Sequence, residues 1–126
     1  MKKIIKTEKA PKAVGAYSQG VDFSGLVFTS GQIPIDPATG ELNTGDIASQ
    51  AEQSMKNVKA IIEEAGLSMD DILKVTILLA DIADFAVVNK VYESFFEGNY
   101  PARSCFAARD LPKGAGIEIE AIAGRR

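Results

Sequence analysis

Residues 46–80, DIASQAEQSMKNVKAIIEEAGLSMDDILKVTILLA, set an amphipathic helix directly before an apolar strand, and that succession decides the fold class. Ile47, Ala51, Met55, Val58, Ile62 and Ala65 recur at spacings of three and four, so they share one helical face. Lys56, Lys59, Glu63 and Glu64 fall largely off that stripe. Asp46 suits the N-cap, and Gly66 stands where a left-handed C-terminal residue belongs. These signals predict a helix from about Asp46 to Ala65. Leu73, Val75, Ile77 and Leu79 then alternate with Lys74, Thr76 and Leu78, which predicts a strand with one wholly apolar face.

Downstream, a second helix begins near Asp81 or Asp84 and carries Phe85, Val88, Tyr92 and Phe95 at helical spacing, ending before Gly98-Asn99. Its aromatic stripe reads as core packing. Two strands follow, roughly Ala102 to Ala108 and Ile117 to Ala123, and the Pro and Gly residues of RDLPKGAG between them predict a closing hairpin. Upstream, VDF and LVFTS flank a Ser24-Gly25 turn, a hairpin over Val21–Ser30. Pro34, Pro37 and Gly40 exclude a central strand from GQIPIDPATGEL, which reads as a surface loop. The order hairpin, helix, strand, helix, hairpin predicts an α+β fold in which two helices cover one face of a mixed sheet. With no linker, repeat or break in composition, residues 1–126 read as one domain.

The other sheet face needs a partner. Ser104, Phe106 and Ala108 point to one side of their strand and Arg103, Cys105 and Ala107 to the other. Ile117, Ile119, Ala121 and Ala123 line one side of the last strand, with Glu118, Glu120 and Ile122 opposite. Apolar groups on both faces predict self-association through the uncovered one.

Composition excludes whole classes of chemistry. There is no His, so Ser-His-Asp and Cys-His catalysis and His-ligated metal sites are gone. The single Cys105 rules out an intrachain disulfide, a CxxC pair and a cysteine zinc cluster. Acid–base work falls to Asp, Glu, Tyr, Lys, the thiol or water. With 14 basic and 17 acidic residues the formal charge is −3, which weighs against a protein built to neutralise phosphates. MKKII lacks an apolar core of signal-peptide length, and ILKVTILLA is too short to span a membrane. The free thiol then points to the cytoplasm.

Arg103 is an oddity in the otherwise small and apolar run PARSCFAA. It reads either as a structural ion pair with Glu118 or Glu120, or as a fork that grips a small ligand's carboxylate. Glu118 and Glu120 share one strand face among isoleucines; one of them can serve as a base or water-holder, or both can be an ion pair and a solvated edge charge. Cys105 reads as a small buried hydrophobe. Tyr17 in GAYSQG and Ser30-Gly31 in TSGQIP lie where backbone groups can approach a ligand, and neither segment is a phosphate loop.

Taken together, GAYSQG (15–20), TSGQIP (29–34), DFAVVNKVYESFF (84–96) and PARSCFAARDLPKGAGIEIEAIA (101–123) resemble the RidA/YjgF family of enamine/imine deaminases over essentially the whole chain. The resemblance implies a chorismate-mutase-like fold assembled as a homotrimer around a central barrel-like core, with active sites in clefts between subunits. It implies substrates such as 2-aminoacrylate, 2-iminopropanoate and 2-iminobutanoate, released by pyridoxal-phosphate enzymes, and neither cofactor nor metal. By position it assigns carboxylate binding to Arg103 and water positioning to Glu118. Tyr17, Ser30, Gly31 and Cys105 become pocket residues, and Asn89 lies at or near the subunit interface. Ala16 departs from the family's usual proline, which removes a fixed backbone angle but no reactive group. Two other functions stay open on sequence: a non-catalytic trimeric 2-oxo-acid-binding module, and a translation-inhibiting endoribonuclease. The acidic charge and the absence of His weigh against the latter.

Overall fold

The computed structural model describes residues 1–125. Its strands are β1 (Lys3–Ile5), β2 (Gly20–Phe23), β3 (Leu26–Thr29), β4 (Ile72–Leu79), β5 (Ala102–Ala107) and β6 (Ile117–Gly124), with helices α1 (Ile47–Glu64) and α2 (Phe85–Glu93). They form one six-stranded sheet in the order β1-β2-β3-β6-β4-β5. Only β4 and β5 pair in parallel, joined through α2; the other neighbours are antiparallel. No helix among the described residues is long and apolar enough to cross a membrane.

Helix α1 follows the sequence reading closely. The Asp46 side chain accepts from Ser49 N at 2.8 Å, and this bond holds its carboxyl below the usual carboxylate range. At the other end Gly66 takes φ +82°, so that Gly66 N reaches Glu63 O and Leu67 N reaches Ile62 O, a Schellman termination. Ala51, Met55, Val58, Ile61 and Ile62 are buried against Val27, Val75, Ile77, Ile117, Ile119 and Ala123 of the sheet.

Three expectations need correction. β5 and β6 are not a hairpin, because β4 lies between them. β6 is the more apolar strand, with Ile117, Ile119, Ala121 and Ala123 no more than 3% exposed, and it takes a central position. β5, carrying Arg103, is left at the edge, and the long 108–116 connection carries the chain past β4. Leu73 is not on the buried face of β4: a bulge between Ile72 and Lys74 turns it outward over Gly124, and Ile72 is buried in its place. Finally β1, absent from the sequence reading, extends the first hairpin to three strands.

The helices cover one sheet face. The other carries Ile4, Phe23, Leu26, Phe28 and Phe106, each more than a third exposed. The predicted uncovered face with exposed apolar groups is therefore present, with Thr76, Glu118 and Glu120 set among them.

Candidate active site

Strand register decides what Arg103 and Glu118 can do. In the β4–β5 pair Arg103 lies beside Val75 and Cys105 beside Ile77, which places both on the helix-covered face. In the β4–β6 pair Glu118 lies beside Leu78 and Glu120 beside Thr76, on the open face. The ion pair entertained from sequence is therefore excluded by geometry: Arg103 and the two glutamates project from opposite sides of one sheet. Among the described residues no carboxylate lies within salt-bridge distance of Arg103.

α2 builds the surroundings of Arg103. Phe85, Asn89 and Tyr92 succeed one another at helical spacing and present a single stripe to β5. The guanidinium carbon stands 5.2 Å from the Phe85 ring centre and 5.0 Å from that of Tyr92. Arg103 Nη1 donates to Asn89 Oδ1 at 2.6 Å, and Asn89 Nδ2 donates onward to Glu93 Oε1 at 3.1 Å. Two aromatic faces and one amide oxygen hold a cation without neutralising it. An open cavity of 320 Å³, lined by Arg103, Asn89, Tyr92, Glu93, Tyr100 and Pro101, lies in front. Burial pushes the Tyr92 hydroxyl up to about 12, with Arg103 opposing, so it is neutral at any physiological pH. Burial also raises the Cys105 thiol, again against Arg103, which suits a lining group and not a nucleophile.

The remaining predicted residues gather elsewhere. Tyr17, Ser30, Gly31 and Glu118 line one cavity of 560 Å³, together with Lys12, Val14, Ile33 and Lys113. GAYSQG and TSGQIP are bound into one unit, with Ser30 N donating to Gln19 O at 2.8 Å and Ser30 Oγ to Ser18 O at 2.5 Å. Gly31 leaves room for the Glu118 carboxyl: a Cβ there would collide with it and push the carboxyl aside. Gln32 bridges to Ile119 on β6 through two backbone bonds, fixing Gly31 beside Glu118. Burial raises the Glu118 carboxyl above the usual range, and the Glu120 charge adds to the effect.

The structure thus brings Tyr17, Ser30, Gly31 and Glu118 together, and Arg103, Asn89 and Cys105 together, but does not join the two groups within one protomer. Sequence reasoning missed Phe85 and Tyr92 as flanks of the guanidinium. Their i, i+7 spacing around Asn89 was visible, but only the β4–α2–β5 crossover shows that this stripe faces Arg103.

A small α+β protein with a divided site is thereby defined, an uncommitted guanidinium on one side and a desolvated carboxyl on the other. Residues 7–124 match the family described as Endoribonuclease L-PSP. The chain is 57% identical to a RutC family protein of Haemophilus influenzae, covering all of this chain and 99% of the relative. It is 54% identical to the 2-iminobutanoate/2-iminopropanoate deaminase of Escherichia coli, covering the whole of both. Its fold superposes on Escherichia coli TdcF with bound serine at a TM-score of 0.94 and 52% identity, covering 98% of this chain and 99% of that one. The chain belongs to this family, the RidA/YjgF family that its motifs resemble.

Proposed function

We propose that this chain hydrolyses short 2-imino acids and their enamine tautomers to 2-oxo acids and ammonia, acting as a homotrimer with sites between protomers. The supporting observation is Arg103: a guanidinium flanked by two aromatic rings, with no carboxylate partner among the described residues and a cavity before it. Such a group is poised to hold an α-carboxylate through two parallel hydrogen bonds. The related Escherichia coli deaminase is named for substrates of this kind, and TdcF is known with bound serine, which also carries an α-carboxylate.

The chemistry is economical. Solvent protonates the terminal carbon of the enamine, giving the iminium, the protonated form of the imine. Arg103 fixes the carboxylate and so places the adjacent imine carbon against Glu118 of a neighbouring protomer. Glu118 takes a proton from water as the oxygen bonds to that carbon, and the former C=N electron pair settles on nitrogen. Glu118 returns that proton to nitrogen and then takes the hydroxyl proton, so that the oxygen forms C=O as the C–N bond breaks and ammonia leaves with its electron pair. A carboxyl raised by burial is the stronger base for the first step. Because imines hydrolyse in water unaided, most of the gain is positioning.

The open apolar sheet face supports the assembly, since a neighbour seated on it would bury Phe28 and Phe106 and close the cleft. The chorismate-mutase-like barrel core and a cytoplasmic setting complete this reading. The test runs a pyridoxal-phosphate dehydratase with and without the protein, following 2-oxo acid release. The wild type accelerates release, and Arg103→Ala lowers kcat/KM by roughly a hundredfold or more. Arg103→Lys also loses most activity, because an ammonium lacks the planar fork. Near-normal turnover by Arg103→Ala overturns the proposal.

A further inference from the structure

GAYSQG contributes more than Tyr17. Gln19 is 3% exposed, and its carboxamide is wholly engaged by a segment that has no regular secondary structure of its own. Gln19 Oε1 accepts from Thr7 N at 2.7 Å. Gln19 Nε2 shares its two hydrogens among Thr7 O at 2.9 Å, Ala10 O at 3.1 Å and Pro11 O at 2.8 Å. The Gln19 carbonyl meanwhile accepts from Ser30 N, which roots the residue in the β2–β3 hairpin. One side chain thus does for residues 7–11 what strand pairing does elsewhere: it satisfies their buried backbone.

The strap so tied leads straight into the site. Beyond Pro11 the chain passes Lys12 and Val14, turns at Gly15 with φ +123°, and arrives at Tyr17, whose ring lies 3.9 Å from where a Gly15 Cβ would stand. Pro11, Lys12, Val14 and Tyr17 all line the Glu118 cavity. We propose that Gln19 is a positioning residue of the Glu118 half-site: by tying residues 7–11 to the hairpin it holds the strap as the wall against which substrate binds. This rests on the deaminase reading given above and deepens it.

The amide is irreplaceable because it donates and accepts at once. Gln19→Glu keeps size and shape but turns a carboxylate oxygen toward three carbonyls. Since the strap carries substrate contacts and not Arg103 or Glu118, its loosening raises KM by about tenfold while kcat changes less than about threefold. A merely structural role would lower the melting temperature and the active fraction and leave KM in place, so an unchanged KM overturns the inference. Should Gln19→Glu not fold, the wild type carries the test. Exchange of the Thr7 amide hydrogen should slow when 2-oxobutanoate occupies the site, and exchange indifferent to that ligand likewise overturns the inference. If the wild type does not accelerate 2-oxo acid release, the deaminase reading fails separately, and the exchange measurement still judges the strap.

Discussion

At the scale of the residue, Glu118 shows what the proposed chemistry would cost the fold. It stands between Ile117 and Ile119, both buried, with its carboxyl against Gly31. Burial first, then the Glu120 charge, raise its pKa. The acid limb of the kcat/KM profile should therefore lie at higher pH than an ordinary glutamate gives, and Glu120→Gln should move it part of the way down, since it removes the lesser cause. A pH–rate profile of both proteins checks this; identical limbs would exclude the coupling. Stability has the opposite sign. A carboxyl whose folded pKa is raised contributes stability that is complete below its unfolded pKa and is lost as pH rises through the folded value. At neutral pH the ionised Glu118 is thus a liability, and Glu118→Gln should melt at a higher temperature than wild type while losing imine hydrolysis. The gap in melting temperature should close as pH falls below the usual glutamate range. The residue types at 103 and 118 were legible as oddities in the sequence. Their opposite facing was not, because it follows from β4 lying between β5 and β6.

At the scale of the element, α1 was readable almost to the residue because three independent signals coincide: the Asp46 cap, the apolar stripe and Gly66. The bulge at Leu73 displaces one residue within an apolar run, so no periodicity announces it, and β1 is too short to have a period. The closing hairpin was misread because proximity in sequence suggested pairing that strand burial reassigns. Within α1, Asn57 is a polar residue with no exposure on a helix whose other buried positions are mostly apolar. Its Nδ2 donates to Ile35 O at 2.9 Å and Ile33 O at 3.4 Å, and its Oδ1 accepts from Gln53 at 2.8 Å. The helix thereby anchors the proline-bearing loop that follows Gly31. Asn57→Ala leaves those carbonyls without their donor and should cost about 1–3 kcal/mol. Urea unfolding should show a lower midpoint with an unchanged slope.

At the scale of the whole molecule, the two halves of the site lie on opposite faces of one sheet, so a single protomer cannot bring Arg103 and Glu118 onto one substrate. The open face exposes Phe23, Phe28 and Phe106, and the alternation of β5 and β6 already pointed to apolar groups on an uncovered face. That the Arg103 half of one protomer would meet the Glu118 half of another is not legible in the residues and rests on the proposed assembly. Sedimentation should therefore give three times the chain mass at micromolar concentration. A sharper experiment mixes two inactive proteins. In Arg103→Ala trimers every cleft lacks its guanidinium, and in Glu118→Gln trimers every cleft lacks its base. Co-refolded at equal amounts, half of the arginine sides and half of the glutamate sides are intact, so about a quarter of the clefts carry both. Activity should return to about a quarter of the wild-type level, far above what either parent retains. If arginine and glutamate acted from the same chain, no mixed assembly could repair a cleft, and the mixture would stay as inactive as its parents.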